Sequence, residues 1–67
     1  MILRKKKYIY IIGTGGLANV VSEIVDNNKA YTIKAYIDDR NIKKFNNKKV
    51  NKLNNFIDEF ENEEIVI

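Results

Sequence analysis

The 67-residue chain has no cysteine and no histidine. Without cysteine, neither a disulfide framework nor a thiolate zinc site can staple so short a sequence. Lacking histidine, it has neither the commonest transition-metal ligand nor an imidazole for acid–base catalysis. No stretch approaches the roughly 20 consecutive apolar residues that span a bilayer. A basic start, Arg4 to Lys7, leads into the apolar run Tyr8 to Ile12, but glycine breaks that run too early for the core of a secretory signal. We therefore expect a soluble, cytoplasmic chain with no membrane span. No Pro/Gly-rich linker, internal repeat or second domain is visible, so residues 1–67 read as one domain. A domain of this size buries only about 60% of its unfolded surface, so weak stability or self-association is expected.

The formal charge of +3 raises the question of nucleic acid. Its distribution argues against such a partner. Arg4, Lys5, Lys6 and Lys7 cluster at one end, while Asp58, Glu59, Glu61, Glu63 and Glu64 lie near the other. No aromatic-plus-basic reader motif accompanies them. The basic cluster reads as a solvated strand entrance and the acidic one as a solvated face.

Tyr8 to Ile12 is β-branched and aromatic without polar alternation, the pattern of a strand covered on both faces. After the glycines the period changes. Leu17, Val20, Val21, Ile24 and Val25 fall at helical spacing, with Asn19, Ser22, Glu23 and Asp26 opposite, which predicts an amphipathic helix laid on the first strand. Asn27 and Asn28 mark its end, asparagine being tolerant of the left-handed conformation of a helix stop. In the following segment, residues 31–39, Ile33, Ala35 and Ile37 alternate with Lys34 and Tyr36, predicting a strand with one buried and one partly wet face. The helical connection makes the two strands parallel, in a right-handed βαβ unit. Asp38 to Lys52 reads as a loop that tucks Ile42, Phe45 and Val50 against the sheet edge, with an extended piece near Val50. Leu53, Phe56, Ile57 and Phe60 then give a second helix, about Lys52 to Glu61, with Asn51 as its N-cap. The final residues, Glu63 to Ile67, read as a third strand. The fold class is thus α/β, a small Rossmann-like βαβ-αβ arrangement with a parallel sheet of about three strands and two helices. The chain stops where a functional loop is due, so it reads as truncated at its carboxyl end.

The three glycines, Gly13, Gly15 and Gly16, all lie in the strand-to-helix turn. With Ala18 they match the G-x-G-x-x-G/A spacing of dinucleotide-binding folds, in which one glycine makes the turn and the next admits the ligand to the backbone. Free N–H groups and the positive end of the helix would hold a phosphate there, with Gly15 and Gly16 as the cradle. Asp38, 20 residues beyond Ala18, and Asp39 stand at the end of the second strand, where carboxylates accept hydrogen bonds from ribose hydroxyls. The plainer alternative is that Asp38, Asp39 and Arg40 form a solvated turn. No catalytic set can be assembled. Ser22 has no histidine to activate it and reads as a surface residue, while Tyr8, Tyr10, Tyr31 and Tyr36 read as packing. No metal site is expected.

Residues 9–25, from Ile9 through the glycine turn to Val25, followed by Tyr36-Ile37-Asp38-Asp39, resemble the amino-terminal domain of bacterial sugar O- and N-acyltransferases of the sialic-acid O-acetyltransferase type. The resemblance spans nearly the whole chain. It implies a small Rossmann-like domain that binds the nucleotide part of a nucleotide-sugar, typically a uridine diphosphate sugar, in surface-glycan biosynthesis. It also implies acetyl-CoA as acyl donor, used by a following left-handed β-helix that trimerises and carries the catalytic histidine. Nothing in this chain corresponds to that second domain, so whether it is itself an enzyme stays open. Ligand contact carries over to Gly13, Gly15, Gly16, Asp38 and Asp39. The motif's His and Lys positions are Leu17 and Asn19 here, which removes a polar contact and a charge. Two alternatives remain open at this stage. One is the nucleotide-binding domain of polysaccharide-biosynthesis proteins, and the other a small NAD-binding oxidoreductase domain.

Overall fold

In the computed structural model, residues 7–61 and 64–67 are described. The Arg4 to Lys6 part of the basic cluster and Glu63 lie outside them. The element order is β1 (Lys7–Ile12), α1 (Gly16–Asp26), β2 (Tyr31–Ile37), β3 (Lys44–Phe45), β4 (Lys48–Asn51), α2 (Leu53–Glu59) and β5 (Ile65–Val66). The strands form one sheet in the order β3-β4-β2-β1-β5. Pairs β1–β2, β1–β5 and β2–β4 are parallel, and only β3–β4 is antiparallel. The α/β class and the parallel β2-β1-β5 core agree with the sequence reading. The segment read as a loop adds a hairpin that extends the sheet at one edge.

Alternation along β1 sends Ile9 and Ile11 to one face, where they pack with Ala18 and Val25 of α1. Tyr10 goes to the other, against Phe56 of α2. The two helices therefore cover opposite faces. The chain steps outward from β1 to β2 and then β4, and α2 carries it back to the far edge of β1, so the winding reverses beside β1. In open α/β sheets the ligand crevice lies at the carboxyl ends of the strands at such a reversal.

Several local expectations are corrected. The face that α1 buries is Ala18, Ser22 and Val25, with Val21 half-buried, whereas Leu17 is 79% and Ile24 66% exposed, and Val20 is also exposed. Small side chains let the helix approach the sheet where leucine would hold it off. Ser22 is thus a core residue, only 4% exposed. In β2, Ile9 pairs with Ile33 but Tyr10 pairs with Ala35, so Lys34 is an extra residue in a β-bulge. The bulge puts Ile33 on the α1 face and Ala35 and Ile37 on the α2 face, and buries Tyr36 completely. Finally, Asn51 is not the N-cap of α2. It ends β4, and its Nδ2 donates to Glu59 Oε2 at 2.8 Å. Lys52 holds the cap position without a capping side chain.

The acidic residues near the carboxyl end are not merely solvated. Lys49 Nζ donates to Glu59 Oε1 at 2.5 Å, tying β4 to α2. Lys34 Nζ, turned by the bulge, donates to Glu64 Oε2 at 2.6 Å. Asn27 ends α1 in the right-handed rather than the left-handed region.

Candidate functional site

The turn after β1 and the exit of β2 meet at the carboxyl edge of the sheet. Gly13 has φ +96°, a conformation only glycine adopts without strain, and its N–H donates to Ile37 O at 2.8 Å. Gly13 therefore makes the turn and spends its N–H inside the protein. Gly15 and Gly16 are different. Gly15 lies at φ −98°, Gly16 opens α1, and a Cβ at either would meet nothing within 4 Å. Packing among the described residues gives no reason for glycine at these two positions. No side chain caps α1 and no acid lies in its first turn, so the helix presents uncapped N–H groups beside them.

Below the turn is a cleft of about 460 Å³, lined by Ile12, Gly13, Ile37, Asp38, Asp39, Leu53 and Phe56. Its volume suits a small organic ligand. Its walls are apolar, and the two aspartates supply its charge. The exposed side chains of Ile12 and Leu53 form part of its rim.

The two aspartates have separate partners. Asp38 accepts from Thr14 Oγ1 at 2.8 Å, from the Arg40 backbone N–H at 2.9 Å, and from Arg40 Nε and Nη2 at 2.9 to 3.2 Å. The Arg40 guanidinium, then its backbone N–H and the Thr14 hydroxyl, hold the Asp38 carboxyl well below the usual carboxylate range. Arg40 Nη2 also donates to Thr14 Oγ1 at 2.8 Å, closing a three-residue cluster between the glycine turn and the β2 exit. Asp39 Oδ1 accepts the Leu53 N–H at 2.9 Å and so substitutes for a cap on α2. Asp39 Oδ2 has no hydrogen-bond partner among the described residues.

The structure thus gathers Gly13, Asp38 and Asp39 around one cleft and sets Gly15 and Gly16 in the adjoining turn. The sequence reading does not single out Thr14, and it names Arg40 only in the alternative of a solvated Asp38-Asp39-Arg40 turn. The signal for Arg40 was its position two residues after the strand-ending acid, where an Asx-type turn folds its side chain back. For Thr14 it was a hydroxyl flanked by two glycines. Among the described residues there is no group of three side chains suited to a metal ion, and no helix long and apolar enough to cross a membrane.

No curated protein and no solved structure matches the chain significantly. A family model does match, that of the PglD N-terminal domain, over residues 8–67, which takes in every element described above except Lys7, the first residue of β1. With a mostly parallel sheet, a glycine turn after the first strand and acids directly after the second, the chain belongs to the PglD N-terminal domain family, the Rossmann-like amino-terminal domain of sugar acetyltransferases.

Proposed function

We propose that this domain binds a nucleotide-sugar, of the uridine diphosphate class, for a sugar acetyltransferase of surface-glycan biosynthesis. The observation that carries this reading is the pair Gly15 and Gly16, which have no Cβ-excluding neighbour among the described residues. Close approach of a ligand to the backbone explains two glycines that packing does not. The diphosphate would lie against Gly15, Gly16 and the first turn of α1. The nucleoside would enter the cleft floored by Ile37 and Phe56, with Asp38 and Asp39 at its edge. Gly13 shapes the turn. Of the two aspartates, Asp39 is the ribose acceptor in this reading, because its Oδ2 has no hydrogen-bond partner among the described residues while both oxygens of Asp38 are engaged.

The domain itself performs no acyl transfer in this scheme. It holds the acceptor sugar by its nucleotide, in the cytoplasm, and acetyl-CoA is the substrate of a catalytic part belonging to a full-length, trimeric acyltransferase. The test is an amide NMR titration of the 67-residue chain with UDP-N-acetylglucosamine and, separately, with NAD. Shifts at Gly15, Gly16 and Asp39 with the uridine ligand are expected. The same shifts with NAD alone would assign the cleft to a dinucleotide, and no shift with either, in a well-folded chain, would defeat the reading.

A further inference from the structure

Resting on that nucleotide-binding reading, we propose that Arg40 is the residue that recognises the ligand's phosphates, and that Asp38 and Thr14 serve to aim it. Three of the five guanidinium N–H donors are spent. Nε is turned to Asp38, and Nη2 serves both Asp38 Oδ2 and Thr14 Oγ1. Nη1 has no partner among the described residues, which leaves its two donors to a ligand, and the side chain is 66% exposed. Thr14 sits between Gly13 and Gly15, so its bond to Nη2 fixes the guanidinium against the turn where the diphosphate would lie.

The cluster restrains Arg40 in a way that a surface arginine is not restrained. Its backbone N–H and its side chain both bond to Asp38, only two residues away, which folds the guanidinium back toward β1. Ordering of this long side chain is then settled before a ligand arrives, so less freedom is lost on binding. A planar fork with charge-assisted donors is the group best matched to phosphate oxygens. Asp38 takes four donor hydrogens, the Nε–H being shared between its two oxygens, and these fill the roughly four lone-pair sites of a carboxylate, so a ligand hydroxyl could reach it only by displacing a donor already there. Asp38 is accordingly a positioning residue.

A purely structural Arg40 would tie the β2 exit to the glycine turn and affect every ligand alike. The test therefore compares UDP with uridine, which differ in the diphosphate, by calorimetric titration of the wild-type chain, Arg40→Gln and Arg40→Lys. The fold of each is checked by amide NMR dispersion. Arg40→Gln is expected to weaken UDP about tenfold or more while uridine changes by less than about twofold. Arg40→Lys keeps the charge but loses the fork, and is expected to fall between. Should Arg40→Gln fail to fold, Arg40→Lys decides, by a UDP-to-uridine affinity ratio below that of wild type. An unchanged ratio in the folded variants would overturn the role of Arg40 and leave the nucleotide site standing. A folded wild-type chain that binds neither ligand would overturn the proposed function and this inference with it.

Discussion

Ser22 Oγ and Tyr36 Oη lie 2.7 Å apart, buried in the seam between α1 and β2. Ser22 Oγ also contacts Ala18 O at 2.6 Å, and a carbonyl only accepts, so the serine proton goes there. Tyr36 must then donate to Ser22, and its own oxygen accepts from Asn46 Nδ2 at 3.2 Å. Asn46 Nδ2 reaches Asn19 Oδ1 as well, at 3.0 Å. A single directed chain of hydrogen bonds thus links the hairpin turn to the helix through the core.

The pair predicts a non-additive mutant cycle. Ser22→Ala strands the buried Tyr36 hydroxyl proton and should cost about 1–3 kcal/mol in urea denaturation. Tyr36→Phe leaves the smaller Ser22 hydroxyl, which keeps its bond to Ala18 O, and should cost less. In the double variant neither partner is left unpaired, so the combined loss should fall below the sum of the two single losses. Strict additivity would show that the contact carries no energy of its own.

These same residues show what was legible in the sequence. The existence and order of β1, α1, β2 and α2 follow from hydrophobic period and glycine placement, because those patterns are local. The face that α1 buries was not legible, since Leu17, Val20 and Ile24 and the set Ala18, Val21, Ser22 and Val25 both have helical spacing. Close approach to the sheet, a tertiary demand, selects the smaller set. The hairpin carries a local signal of its own. Asn46 and Asn47 have φ of 50° and 62°, and they form the two-residue loop between Phe45 and Lys48. Paired asparagines suit such a turn because they tolerate positive φ at both positions. The bulge at Lys34 had no comparable signal, since a single extra residue shifts register without altering composition.

Tyr10 yields a second stability prediction. Its hydroxyl is buried without a hydrogen-bond partner among the described residues, and Lys34 Nζ nearby is committed to Glu64. Tyr10→Phe removes an unsatisfied polar group while keeping the ring contacts with Phe56 and Phe60, so stability should rise by about 1 kcal/mol. Burial also raises the Tyr10 pKa, and the hydrogen bond to Glu64 raises that of Lys34. A raised folded pKa means stability that is present below the unfolded value and lost as pH climbs past it. The urea midpoint should therefore decline above about pH 10. Tyr10→Phe should shorten that decline, leaving the Lys34 part.

Asp38 governs the acid side. A carboxyl whose folded pKa is lowered contributes stability that is complete above its unfolded value and lost as pH falls toward the folded one. Glu59 has the same sign, lowered chiefly by its bond to Lys49. The urea midpoint should accordingly hold from neutral pH down to about 5 and fall below about 4. Asp38→Asn should begin lower at neutral pH and lose less on acidification. Parallel curves for the two proteins would mean that the Thr14, Asp38 and Arg40 cluster contributes no pH-dependent stability.

The glycines separate turn-making from ligand binding. Gly13→Ala forces a Cβ onto a backbone at φ +96° and should destabilise the chain by about 1–3 kcal/mol, even though the space around it is open. Gly16→Ala places a better helix former at the start of α1 and meets no neighbour, so it should leave stability unchanged or raise it by up to about 1 kcal/mol. Gly15→Ala exchanges a tolerated cap residue for a poorer one and should cost only about 0.5 kcal/mol. If the turn is a phosphate cradle, the order reverses for binding. The methyl groups at positions 15 and 16 would occupy the space in which the diphosphate lies, so both variants should lose UDP affinity while remaining folded. Measuring urea midpoints and UDP titrations on all three variants checks this directly. Full UDP affinity in Gly15→Ala and Gly16→Ala would mean that the ligand, if bound, keeps away from the turn, and that these glycines do nothing that alanine cannot.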